Sequence, residues 1–101
     1  MNTITLLLAL GLASAAQAAP FADGDAAHGR ALYDKDCAGC HAQRFGGDGS
    51  AIFTRPDHKV LNASSLVHRI ASCNANLRTN LSAKEQTDIG AFLNQSYYHY
   101  K

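Results

Sequence analysis

The chain has 101 residues, 47% of them hydrophobic and 17% charged, with nine Lys or Arg against eight Asp or Glu and a net charge of +1. That composition describes one globular domain and excludes a disordered tail or a fibrous repeat. Without a cluster of Lys and Arg to neutralise phosphates it also argues against nucleic acid as a partner, and no charge block marks a membrane-surface partner.

The N-terminal stretch resembles a signal peptide: an apolar run from Ile4 to Leu12 is followed by Ser14, Ala15 and the small-x-small triplet Ala16, Gln17, Ala18. The run is too short to span a bilayer, which takes roughly 20 residues. No Lys or Arg precedes it, so its only positive end is the α-amino group, and an uncleaved amphipathic anchor is the competing reading. The expectation is a signal peptide over residues 1–18 and one domain over 19–101, exported to the periplasm and without an integral membrane span once the signal is removed. A domain of that size supplies only about 3–5 kcal/mol from its core and needs further support. Export also means an oxidising compartment, where cysteines pair, yet this chain has three.

Asp23 or Asp25 is placed to cap a first helix running toward Tyr33, with Ala26, Gly29 or Arg30, and Tyr33 on its narrow apolar stripe. Gly29 inside a helix costs about 1 kcal/mol against Ala, which marks a close approach of another backbone. Next comes Cys37-Ala38-Gly39-Cys40-His41, the C-x-x-C-H pattern of covalent haem attachment. Two thiols three positions apart on a helical turn can add to the two vinyl groups of a porphyrin, and the adjacent imidazole can ligate the iron. This accounts for two of the three cysteines. A redox dithiol or half of a zinc site shares the C-x-x-C spacing, but zinc needs two more ligands and a thioredoxin-like site needs strands that the pattern does not offer.

Gly46, Gly47, Gly49, Ser50 and Pro56 predict one long loop between His41 and Val60, of the kind that wraps a flat cofactor. Ser50, Asp57 and His58 are close in sequence here, but no nucleophile motif surrounds them, and the chain is not expected to be an enzyme on its own. Leu66, Ile70, Cys73 and Leu77 predict a second helix from about Ser64 to Leu77, with His68 off its stripe. Ser82-Ala83-Lys84-Glu85 is a capping box opening the last helix, whose buried side is Ile89, Phe92 and Leu93. Tyr97, Tyr98 and Tyr100 are expected to dock on the body, and His28 and His99 to be exposed.

Gly24-Asp25-Ala26, Gly29 to Tyr33 and Cys37 to His41 together resemble the opening of the class I c-type cytochromes, and the likeness runs along residues 19–101. It implies an all-α class I cytochrome c fold, three to four helices wrapped around one covalent haem c, with Gly29 crossing a C-terminal helix at Phe92. Cys37, Cys40 and His41 would hold the haem. The stretch Arg69 to Leu93, with Ser72-Cys73-Asn74, further resembles the sphaeroides haem protein and cytochrome c″ group. There, the residue before the Cys-Asn pair is a distal Asn or His, and the cysteine is bridged to a second one; here those positions are Ser72 and Asn80.

Electron carriers of class I place a Met on the far side of the iron, and the only Met of this chain is Met1. The candidates for the distal position are therefore Cys73, on the apolar stripe of the second helix; His58, in the loop Arg55 to Lys59; His68; or no side chain at all. Two functions follow from the resemblance: one-electron transfer between redox partner proteins, or a haem module that binds or senses small ligands at a displaceable or absent distal ligand.

Overall fold

The computed structural model describes residues 20–101. The predicted signal segment, and with it the reading of residues 1–18, lies outside the described residues. Five α-helices follow one another, α1 Ala26–Asp36, α2 Ala38–Phe45, α3 Ala51–Thr54, α4 Ala63–Leu77 and α5 Ala83–Leu93, and the chain closes in a π-helical turn, Asn94–Tyr98. No strand occurs among the described residues, so the all-α expectation holds, with more helices than three or four.

The extra helices lie where one loop was predicted. Ala42-Gln43-Arg44-Phe45 are ordinary helix formers, so the helical turn of the motif continues past His41 and stops only at Gly46. The single turn α3 then carries Phe53 into the core. No helix among the described residues is long and apolar enough to cross a membrane.

α1 and α5 form the most extensive helix pair. Asp25 caps α1 by accepting from His28 N–H at 3.1 Å, and α5 opens with the predicted box, Ser82 and Glu85 each satisfying the other's backbone N–H. Gly29 lets the two axes meet: a Cβ there would fall on the Asp88 carbonyl. The contact of Gly29 is thus Asp88 and Ile89, not Phe92. Phe92 lies one helical turn further along and meets Tyr33, ring centroids 5.5 Å apart.

Across the crossing, Asp88 is 2% exposed, and its carboxylate accepts from Asp25 N–H at 2.8 Å, from His28 Nδ1 at 2.8 Å and from Lys84. His28 is exposed, as expected, and its ring nevertheless serves as one of the partners of Asp88. Those hydrogen bonds, first that of the Asp25 N–H and then that of Lys84, hold the Asp88 carboxyl well below the usual carboxylate range.

α4 begins one residue before the predicted start, capped by Asn62, whose side chain takes Ser65 N–H while Ser65 Oγ receives the Leu61 and Asn62 N–H groups. Leu66 and Ile70 are buried with Tyr33, Phe53, Val60, Ile89 and Leu93. Each such side chain contributes about 1.5–3 kcal/mol relative to exposure. The predicted stripe ends early: Cys73 is half-buried and Leu77 is 56% exposed. There Asn74 ties the turn into α5, its Oδ1 accepting from Thr79 Oγ1 at 2.7 Å and Leu81 N–H at 2.8 Å.

Candidate functional site

α1 delivers Cys37 at its C-terminal end, and α2 carries Cys40 and His41 on its first turn. Both thiols are free; Cys40 is exposed, while Cys37 is half-buried. Burial, then Asp36, Cys73 and Cys40, pushes the Cys37 thiol up to about 11, so it stays protonated at neutral pH.

His41 lies among rings: Tyr33 at 5.6 Å in edge contact, Phe45 at 5.8 Å, and Phe53 at 5.4 Å between centroids. Its Nδ1 is 3.2 Å from the Tyr33 hydroxyl, which leaves Nε2 to act as a ligand. Burial first, and then Arg44 and Arg69, lower the pKa of His41 and favour the neutral imidazole that binds metals. Burial pushes Tyr33 up to about 12, so its phenol remains protonated. From the other side, Gly49 presses against the backbone of His41 and Ala42. Its φ of +84 and its lack of a Cβ, which would otherwise stand 2.6 Å from His41 Cβ, both require glycine.

Beyond His41 the aromatic wall continues through Phe53, stacked on Tyr97 at 5.0 Å and 5.9 Å from Tyr98, to His58, 5.7 Å from Tyr98. His58 Nδ1 bonds the Val60 carbonyl at 2.6 Å, and Tyr100 Oη donates to the same oxygen at 2.8 Å. Tyr100 is held in turn by Asn94, whose amide pairs with its backbone N–H and C=O at 2.8 and 3.1 Å. The tyrosine tail therefore docks as expected.

Ser50, Asp57 and His58 do not assemble. Asp57 Oδ1 is 3.2 Å from Arg55 Nε, and Ser50 uses its backbone N–H on Asp48. His68 is exposed, as its place off the stripe predicts. The sequence reading missed Arg55, whose guanidinium lies 5.6 Å over the Phe45 ring. Its Nε is buried and makes no hydrogen bond, since the Asp57 carboxylate stands off the N–H direction.

The donor set suits a covalently attached haem: two thiols one helical turn apart, a neutral imidazole with its far nitrogen anchored, and an aromatic wall for the porphyrin face. Among the described residues, no group of three or more His, Cys, Asp or Glu is arranged to hold a metal ion by itself, so the zinc reading gains no support. A separate cleft between residues 20–23, α4 and α5, lined by Phe21, Val67, Ile70 and Thr87, carries no ionisable group besides Asp23.

Residues 24–93 match the protein family described as cytochrome c oxidase, cbb3-type, subunit III. No curated protein and no solved structure matches the chain.

Proposed function

Since the chain belongs to this family of c-type cytochrome domains, which carry covalently bound haem c, we propose that it is an electron carrier with one haem c attached through Cys37 and Cys40 and ligated by His41 Nε2. The observation that carries this reading is the placing of two free thiols and a half-buried imidazole around the start of α2, Cys37 at its N-cap and Cys40 and His41 on its first turn, the imidazole fixed by Tyr33. The bound haem supplies a one-electron couple. The protein's own residues would do the rest: Cys37 and Cys40 would hold the haem by adding their S–H across its vinyl groups, His41 donates Nδ1–H to the Tyr33 hydroxyl and would so keep its ligating tautomer, and Phe53, Tyr97 and Tyr98 would exclude water from the site.

For the distal position the candidates are Cys73 and His58. His58 is favoured, because its Nδ1 is already anchored on the Val60 carbonyl as a ligating imidazole requires. The partners are redox proteins of the periplasm, to which residues 1–18 would direct the chain. A second reading, binding of a small diatomic ligand, is favoured by one observation: residues 2–101 contain no Met to close the sixth position.

Production with haem-maturation machinery, followed by intact mass and spectra, tests the proposal. One added haem mass and electron exchange with small redox proteins in stopped flow support it, and a bare polypeptide of unmodified mass overturns it. Electron paramagnetic resonance of the ferric protein reads the distal ligand: a low-spin bis-imidazole signal supports His58, a thiolate signal assigns Cys73. A spectral change on adding carbon monoxide to the reduced protein supports the second reading.

A further inference from the structure

The π-helical turn Asn94–Tyr98 ends at His99, whose left-handed φ of +59 reverses the chain and brings Tyr100 back onto the body. Asn94, itself buried, holds it there: its Oδ1 accepts from the Tyr100 N–H at 2.8 Å and its Nδ2 donates to the Tyr100 carbonyl at 3.1 Å. The Tyr100 ring stacks on Tyr98, 5.4 Å and 13° apart, and Tyr98 makes an edge contact with His58. At the end of this arm the Tyr100 hydroxyl donates to the Val60 carbonyl, the same oxygen that His58 Nδ1 reaches. A carbonyl oxygen only accepts, so His58 Nδ1 carries the proton and Nε2 keeps its lone pair. Two donors thus share one acceptor, one from the loop before α4 and one 40 positions away in the tail.

We propose that Tyr100, held by Asn94, is a positioning residue for the distal site: by sharing the Val60 carbonyl it makes His58 a ligand that a small diatomic molecule displaces. The inference rests on the haem reading above, with His58 as the distal ligand. Two effects of the shared acceptor act in the same direction. A carbonyl that accepts from one nitrogen of a ligating imidazole raises the basicity of the other. With the Tyr100 hydroxyl on the same oxygen, His58 draws on it less, and Nε2 holds the iron less tightly. The second effect concerns the carbonyl left behind. Val60 is buried, and a buried acceptor is costly to leave without a donor. When His58 swings away, the Tyr100 hydroxyl stays on that oxygen, and the cost is not incurred.

The test uses the holoprotein. Intact mass establishes covalent haem and electron paramagnetic resonance establishes bis-imidazole ligation, so that failure of the underlying reading is recognised before any substitution is made. A reduced protein that takes up no carbon monoxide at saturation overturns the proposal at the outset. Tyr100→Phe keeps the ring and its stack and removes only the hydroxyl. The affinity of the reduced variant for carbon monoxide is expected to fall about tenfold, because the departing imidazole now leaves the Val60 carbonyl without a donor. In a His58→Ala background, where no imidazole has to leave, the same substitution is expected to change that affinity by less than about twofold. An unchanged or raised affinity in Tyr100→Phe overturns the proposal. So does an equal fall in both backgrounds, which would make the tail a structural support alone. If Tyr100→Phe does not accumulate, proton spectra of the unsubstituted reduced holoprotein decide. A slowly exchanging Tyr100 hydroxyl proton close to the His58 Nδ1–H supports the shared acceptor, and its absence overturns it.

Discussion

The α1/α5 crossing and the α2/α3 side of the domain are built to different rules. At the crossing, protein groups satisfy one another: Gly29 admits the Asp88 carbonyl, and the Asp88 carboxylate is filled by donors from Asp25, His28 and Lys84. On the other side, α2 has no buried residue, and its contacts are rings around His41. The first region fixes the frame by itself. The second takes its finished form, on the proposed function, from a porphyrin. The difference teaches that stability and chemistry are carried by separate helix pairs, joined at Tyr33, which is buried in the core and bonded to His41.

Substitutions can break or sharpen that contrast. The largest effect is expected from replacing Cys37 and Cys40 together by Ser: covalent haem is lost entirely, read as the missing haem mass. Gly29→Val should come next and strike the frame instead, because its side chain collides with rigid backbone at Asp88; overpacking of this kind costs about 1–3 kcal/mol or more, read as a fall in the unfolding temperature of the holoprotein.

Asp88→Asn should cost about 1–3 kcal/mol at neutral pH by weakening the charged acceptor, and it should also change the acid limb. The folded-state pKa of Asp88 is depressed, so its contribution is complete above the unfolded-state value near 3.9 and is lost as pH falls toward the lower folded value. Denaturation curves of the variant are thus expected to lose less stability between pH 5 and 3 than those of the parent. His68→Ala, on an exposed flank, should change stability by no more than about 0.5 kcal/mol and leave the haem spectrum as it was.

What was legible in the sequence was local. The Cys37 to His41 spacing, the Ser82 to Glu85 box and the Leu66/Ile70 stripe each lie within a few turns of one helix. The Asp88 clasp was hidden, because its partners Asp25 and His28 stand 63 and 60 positions away and nothing in their own surroundings marks them. α3 was hidden because its four residues lie between Gly49 and Pro56, where turn residues dominate the pattern. Gly29 showed that a backbone would approach, but not which one: the family resemblance pointed to Phe92, whereas the axes meet one turn earlier, at Asp88. The Asn62 cap was visible as a residue type, but its partner Ser65 is not the Glu or Gln that marks a box.

The glycines after α2 differ in what surrounds them. Gly49 is wedged against His41, whereas Gly46 and Gly47 have open space where a side chain would point. An Asn at Gly47, whose φ of +58 lies in the left-handed region that Asn tolerates, would point into solvent and leave the wedge in place. This turn therefore tolerates a change of side chain at Gly47 but not a change of length, because the Gly49 N–H is bonded to the Gly46 carbonyl across it.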